Sequence, residues 1–451
     1  MSNMPVQKSL GRRIDSFFQI TARGSSPMVE FLAGLTTFAT MAYVLAVNPM
    51  ILSEAGMDRG EMITATAIAA GLFSILMGLL ANLPLAQAPG MGANALFAYT
   101  LVLSQGIPWE AALGLVFWAG VVFLILTLTG VREILLHAFP ADLKFALTVG
   151  IGLFIAFIGI KTSGLVAPAE MPLLIVMGDL SSPGVLLSLF GLVFMVSLMR
   201  LKVAGAILIG VAVLTVIGFW LPSASGAPLT TTPDAIFSTP IPLDKLFLSL
   251  DFTYLWYNLG TAFPALLTLV FLDLFSSLVA MNAMCQRAGL TDSNGDMENP
   301  TLALSVDACA TIGASLIGTS TTNVYAESSA GIESGGRTGL TAMYVGLFFF
   351  VALFVSPLIL IIPAQATAPA LMIIGILMFS EVRHIQFEDL TTAAPSVIAI
   401  FLMPLTSISD GLALGLISYV CIMLMTGRYR EMPWLTYLLA GTLGAYYAFA
   451  V

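Results

Sequence analysis

The chain has 451 residues, of which 58% are hydrophobic and only 9% charged, with a formal net charge of −9. A soluble domain carries about 25% charged residues, so this chain lacks the polar atoms to cover a globular surface, and a mean hydropathy of +0.99 agrees. A water-soluble enzyme and a nucleic-acid binder are excluded, and the solvent is lipid.

The first 28 residues are polar, with Lys8, Arg12, Arg13 and Arg23, and lack the apolar centre of a cleaved leader. Crossing a bilayer core of about 30 Å takes roughly 20 helical residues. In chain order the qualifying apolar stretches are 29–52, 62–82, 109–131, 141–160, 184–199, 203–220, 258–283, 299–318, 338–360 and 410–426. Shorter or interrupted stretches fall at 88–104, 320–336, 367–380 and 393–405, which makes fourteen segments. A final apolar run, 433–450, is either an extra span or a helix lying in the interface.

The Pro-, Ser- and Thr-rich loop 221–257 divides the chain into 29–220 and 258–427, each with seven segments. An odd number per half forces the second half to insert upside down, the inverted repeat of a secondary transporter. Residues 1–28 and 428–451 flank the two repeats. With the N-terminus inside, thirteen of the sixteen Lys and Arg residues fall on the inner side, and only Arg59, Lys161 and Lys245 fall outside. The positive-inside rule therefore predicts a cytoplasmic N-terminus and an outer, periplasmic 221–257 loop.

Matching segments of the two halves, the third and the tenth, are the most broken. Segment three contains Gln87-Ala-Pro-Gly-Met-Gly-Ala-Asn94, where Pro89, Gly90 and Gly92 disfavour continuous helix. An extended stretch followed by a half-helix from near Asn94 is expected. Segment ten contains Gly318-Thr-Ser-Thr-Thr-Asn-Val-Tyr-Ala-Glu-Ser328, polar and β-branched, with Glu327 at the start of a half-helix. Paired interruptions of this kind point to a substrate site.

Three acids lie inside spans. Asp273 sits in a Leu- and Phe-rich stretch, with Ser276 and Ser277 one turn on. A carboxylate at a helix centre costs about 2.5–3.5 kcal/mol on insertion scales, so it signals function. Glu327 combines burial with a broken helix, and two such acids facing one cavity would suffice for proton coupling. Asp307, among Ala308, Cys309, Ala310 and Gly313, reads as a structural pin for segment ten. Glu333 and Arg337 read as a solvated pair near the inner mouth, His137 and His384 as surface residues, and Phe348, Phe349 and Phe350 as lipid-facing. Three scattered cysteines, no HExxH and no GxxxxGK[ST] leave no metal site, phosphate loop or cofactor to expect.

Phe38-Ala-Thr-Met-Ala-Tyr-Val-Leu-Ala-Val-Asn-Pro49, the Gln87–Asn94 block and the Gly318–Ser328 run resemble the AzgA-like purine permeases. These are a branch of the nucleobase–cation symporters related to uracil and xanthine permeases. The resemblance runs from about Val29 to about Arg430 and takes in Gly150–Gly159. It implies an all-α polytopic fold of fourteen segments in a seven-plus-seven inverted repeat. Segments 1–4 and 8–11 would form a core and the rest a gate, with short antiparallel strands from segments three and ten crossing near the site. It implies proton-coupled uptake of adenine, guanine and hypoxanthine across a bacterial-type inner membrane, and it is compatible with a homodimer. Carried over by position, Asp273 and Glu327 take the family's acidic places in spans eight and ten. Tyr325 and Ala326 stand beside Glu327, and Gly92, Ala93 and Asn94 form the span-three wall. Ser277 stands where some relatives have a histidine.

A purine needs polar groups for its edge and apolar groups for its face. Glu327, Asn94 and free backbone could read the edge, while Phe97, Tyr325 or Phe275 could cover the face. Asp273 would be a proton site or a second edge contact. Alternatives are a uracil or xanthine permease and an anion transporter of the same fold, which would not normally carry both acids ionised. An intramembrane enzyme would need a nucleophile or metal constellation that the sequence does not display.

Overall fold

The computed structural model describes residues 10–130, 140–168, 175–223, 226–233, 235–291, 297 and 300–449. His137, one of the two expected surface histidines, lies outside them. Helices α1 (Leu10–Phe18), α2 (Pro27–Met41), α3 (Val44–Ser53) and α4 (Arg59–Leu76) lead into strand β1 (Gln87–Pro89). Helix α5 (Met91–Ala95) follows and continues as wider π-helical turns to Ser104. Then come α6 (Trp109–Thr129), α7 (Ala141–Thr162), the hairpin β2 (Val166–Pro168) and β3 (Ile175–Met177), α8 (Pro183–Arg200) and α9 (Ala206–Ile217). The second half has α10 (Leu259–Ala288), α11 (Pro300–Ile317), β4 (Thr322–Val324), α12 (Ser328–Glu333) and α13 (Gly339–Ala352). It ends with α14 (Ala364–Phe379), α15 (Leu390–Leu405), α16 (Ile408–Met425) and α17 (Trp434–Phe449).

Among the described residues ten helical stretches are long and apolar enough to cross a membrane, and Met91–Ser104, Ala206–Ile217 and Leu390–Leu405 are shorter apolar helices. With β4 and α12 these account for the fourteen expected segments. Stretch 29–52 differs from expectation: it is two helices, broken at Ala42 and Tyr43. The start signals are local. Ser26, Asp58, Thr338, Asp389 and Ser407 each accept a backbone N–H of the helix they precede, and Pro27 takes the first position of α2.

The packing repeats across the two halves. Helix α4 lies on α13 as α11 lies on α6, and α15 lies on α7 as α8 lies on α14. Two groups result: α2–α6 with α10–α13, and α7–α9 with α14–α16. Lipid offers apolar side chains no reason to associate, so close backbone approach carries much of the cohesion. A Cβ on Gly34 of α2 would meet Tyr344 Cβ at 2.7 Å and Thr341 O at 2.9 Å on α13. In the other group, one on Gly152 of α7 would lie 2.8 Å from Gly375 O on α14.

Phe349 departs from the lipid-facing expectation. It is fully buried and packs edge-on against Phe38, with ring centroids 5.1 Å apart. The run therefore straddles the boundary between packed interior and lipid. Of the 433–450 run, Trp434–Phe449 forms helix α17. Tyr447 donates to Asp410 in the first turn of α16, so α17 turns at Gly427 (φ 73°) and runs back along the whole of α16.

Candidate functional site

The two broken segments meet. Strands β1 and β4 pair antiparallel, with Gln87 opposite Val324, Ala88 opposite Asn323 and Pro89 opposite Thr322. Gly90 N donates to Thr321 O at 2.9 Å and Tyr325 N to Ala86 O at 3.0 Å, which extends the ladder at both ends. Pro89 has no N–H to give a helix, and the Thr-rich run favours extended backbone, so both segments satisfy their polar groups on each other. Each strand runs into a helix, β1 into α5 at Met91 rather than near Asn94, and β4 into α12 with Glu327 just before its first residue.

Around this crossing lie two polar clusters. In the first, Asp273 of α10 is buried, and its Oδ2 accepts the Thr311 hydroxyl of α11 at 2.8 Å. With the Asn323 amide oriented to satisfy both its ends, Nδ2 donates to Asp273 Oδ1 at 2.7 Å, while Oδ1 accepts from Ser276 at 2.6 Å. Asp273 is thus engaged at both oxygens and ties α10 and α11 to β4. Asp307 accepts from Gln87 Nε2 at 2.7 Å, and Ser74 Oγ holds the Gln87 backbone from both sides at 2.9 and 3.1 Å. Asp307 is a pin, as expected, but it pins segment three and not segment ten. Ser277 Oγ and Asp307 Oδ2 are buried, with the Ser277 hydroxyl beside the Asp307 carboxylate.

The second cluster surrounds Glu327. Its Oε1 accepts the Tyr43 hydroxyl at 2.6 Å, from the break between α2 and α3 where backbone regularity lapses. The side chain is half-buried, beside an exposed Ala326. Among the described residues Asp273 and Glu327 share no hydrogen-bond partner, the first being held by Thr311 and Asn323 and the second by Tyr43. Tyr325 is fastened across the crossing, its hydroxyl donating to Pro89 O at 2.5 Å.

The span-three residues divide. Gly92 faces the other helix group, where a Cβ would come within 2.9 Å of Ile151 Cγ2 and 3.8 Å of Met378 Cε. Ala93 is buried, and Asn94 Oδ1 accepts from Ser320 Oγ. Of the aromatic side chains proposed for a ligand face, Phe97 is fully buried, Tyr325 nearly so, and Phe275 stacks on Phe271 with centroids 5.8 Å apart. None lies open in this conformation.

Other expectations are corrected at one end of the spans. Glu333 lies 3.8 Å from Arg287, both exposed, and not against Arg337. Arg337 instead donates to Ile332 O at 2.5 Å and Gly336 O at 2.8 Å, closing the turn between α12 and α13. His384 is a surface group, with Nδ1 3.0 Å from Glu381. Sequence reasoning missed Tyr43, Thr311 and Glu30. Buried Glu30 accepts from Arg337 N at 3.0 Å, Thr338 N at 3.3 Å and Thr341 Oγ1 at 2.5 Å, so it caps α13. A Glu at the second position of the apolar stretch 29–52 was a readable signal.

Paired broken segments that meet through short strands between inverted helix sets define a polytopic membrane carrier fold. Comparison agrees. The transmembrane domain of a cyanobacterial bicarbonate transporter, BicA, superposes with a TM-score of 0.61 at 15% identity, covering 86% of this chain and 96% of that one. Murine Slc26a9, an anion transporter in the inward-facing state, gives 0.63 at 12% identity, covering 94% of this chain and 74% of that one. At these identities the likeness is one of fold. Residues 28–410 match the Permease family Xan_ur_permease, and the chain belongs to that family. Adenine permease AdeP of Escherichia coli (strain K12) is 36% identical over 434 residues, 96% of this chain and 95% of that one. Guanine/hypoxanthine permease PbuO of Bacillus subtilis (strain 168) is 40% identical over 420 residues, 92% and 95% respectively.

Proposed function

We propose that this protein is a secondary active transporter that imports the purine nucleobases adenine, guanine and hypoxanthine by proton symport with alternating access. One observation carries the reading. The β1–β4 crossing collects Asn94, Asn323, Asp273 and Glu327 around irregular backbone, with Glu327 only half-buried beside an exposed Ala326. A purine edge of N–H donors and ring-nitrogen acceptors needs carboxylate and amide groups of this kind. The relatives named as adenine and guanine/hypoxanthine permeases, similar over nearly the whole chain, support the same substrate class.

Residues 29–220 and 258–427 serve as the two repeats, and loop 221–257 joins them outside the inner membrane, with residues 1–28 on the cytoplasmic side. Helices α2–α6 and α10–α13 act as the core, the other group as a gate that moves against it. Glu327 is the first proton site and edge contact. Asp273, saturated by Thr311 and Asn323, positions β4 and exchanges a proton only when those bonds reorganise. Ser277, Gly92, Ala93, Tyr325 and Ala326 line the site. An anion substrate is disfavoured, because two carboxylates at the crossing would repel it.

The test is uptake of radiolabelled hypoxanthine, adenine, guanine, uracil and xanthine into cells without their own nucleobase carriers, with and without a protonophore. Wild type should accumulate purines saturably and lose accumulation with the protonophore and in Glu327→Gln. No uptake of any nucleobase by correctly inserted protein would overturn the substrate class.

A further inference from the structure

Helix α1 plays no part in the crossing, yet it is held firmly. Phe18 and Ile20 are buried against Leu340, Met343 and Tyr344 at one end of α13. Asn82, in the left-handed conformation (φ 49°) after α4, donates to Phe18 O at 3.0 Å and accepts from Gly339 N at 2.8 Å. Arg23 Nη1 donates to Asn82 O at 2.7 Å and Arg337 O at 3.1 Å. The segment is thus a fixed bracket across the ends of α4 and α13.

What it presents is two-sided. Ile14 and Phe17, three residues apart, share a face of α1 and are 38% and 57% exposed. A water-facing helix has no reason to display them. Next to Phe17 a pocket of about 380 Å³ opens, lined by Arg23, Leu79, Leu80, Asn82 and Leu302 among others. Leu80 and Leu302 are themselves exposed, and Leu79 and Leu80 end the spanning stretch Arg59–Ala81, so this apolar wall continues the belt that meets acyl chains. Arg13 is exposed on α1, and the sole acid of the helix, Asp15, accepts from Thr21 N and Oγ1, both at 2.8 Å.

We propose that α1 is an interfacial helix and that the pocket beside it holds one anionic phospholipid of the leaflet at this face. The acyl chains lie on Phe17, Leu79, Leu80 and Leu302, and the phosphate lies at the exposed Arg13, one helical turn before Phe17. The chemistry is that of helices that set Arg beside exposed apolar residues, which lie in the headgroup boundary and favour anionic lipid. A free phosphate would find Arg13 but leave the apolar wall in water, so the lipid is the occupant that matches both halves of the site. The inference is independent of what the carrier transports.

The test uses the purified full-length chain in detergent, with native mass spectrometry of lipid adducts during titration with phosphatidylglycerol and, separately, phosphatidylcholine. Wild type should keep one phosphatidylglycerol under activation that strips phosphatidylcholine. Arg13→Gln/Phe17→Ser, at two exposed positions, should weaken that adduct by about fivefold or more. Phe17→Ser alone should weaken it less. Inorganic phosphate at millimolar concentration should not displace it. Equal retention of the two lipids, an unchanged adduct in the double variant, or displacement by phosphate would each overturn the proposal. Transport activity does not enter these readouts, so failure here leaves the purine reading intact, and the reverse.

Discussion

Removing the Tyr43 hydroxyl tests whether the Glu327 carboxylate is positioned for work. The hydroxyl donates to Glu327 Oε1 at 2.6 Å, and Tyr43 is 2% exposed, so Tyr43→Phe deletes one buried donor and leaves the ring in place. A hydrogen bond to a charged group contributes about 1.5–3 kcal/mol. At about 1.4 kcal/mol per factor of ten, that is roughly a 10- to 140-fold effect. If Glu327 binds the substrate edge in the orientation Tyr43 enforces, half-saturation for hypoxanthine uptake should rise within that range in Tyr43→Phe. Initial rates against substrate concentration, normalised to the monodisperse protein recovered in detergent, give the number. A double-mutant cycle with Glu327→Gln adds specificity. The double variant should be no worse than Glu327→Gln alone, because groups in direct contact do not contribute additively. Kinetics within twofold of wild type, or strictly additive losses, would refute the role given to this pair.

Gly34→Val should lower thermal stability by about 1–3 kcal/mol, since its Cβ would press on Tyr344 Cβ at 2.7 Å and Thr341 O at 2.9 Å; a detergent melting curve measures it. Gln87→Leu takes the donor from buried Asp307, at a cost of about 1–3 kcal/mol, and should lower the melting temperature while Gln87→His, which keeps an N–H, lowers it less. Thr391 and then Arg428 hold the Asp389 carboxyl down to about 2, and Arg428 also pairs with Glu431 at 2.8 Å. A depressed folded pKa means the contribution is complete above the unfolded value of about 3.9 and is lost as pH falls toward 2. Proteolytic nicking after residue 426 should therefore be flat from pH 8 to 5 and rise only below about pH 4. Because α17 retraces α16, reporters fused to the two chain ends should lie on opposite faces of the membrane; the same face for both would contradict the Tyr447–Asp410 contact.

The spans were legible because a bilayer imposes length and apolarity on each segment separately, so a window of about 20 residues suffices. The interruptions were legible for a related reason: Pro89, Gly90 and the Thr319–Asn323 run have no place in a lipid-facing helix. What met what was not legible. Three-residue strands carry no periodicity, so the antiparallel pairing of segments three and ten was an expectation from family resemblance, its register was not foreseen, and the β2–β3 hairpin was not anticipated at all. Nothing at Ala42 and Tyr43 announces a break, and a tyrosine in an apolar run reads as an interface anchor rather than as a carboxylate's donor. Asp307 was recognised as structural, but its partner Gln87 is 220 residues away, beyond the reach of local pattern.

The distribution of polar contacts bears on how such a carrier would move. Within the group that carries the crossing, carboxylates and hydroxyls bind β1 and β4 to α4, α10 and α11, and any displacement of one strand against the others would break several buried hydrogen bonds at about 1–3 kcal/mol each. Toward the other group the crossing presents Gly92 to Ile151 and Met378, and Lys144 of α7 rests on the Phe275 ring at 5.3 Å. Polar bridges across that boundary are few among the described residues, as Arg59 Nη2 to Ile362 O at 2.9 Å and Thr367 Oγ1 to Met50 Sδ at 2.8 Å. An apolar seam can slide without leaving buried donors unpaired, whereas a hydrogen-bonded one cannot. The low-cost motion is therefore one that keeps the crossing whole and shifts the α7–α9, α14–α16 group along Gly92. A bulky side chain at position 92 should then obstruct transport while leaving the crossing, and the fold, in place.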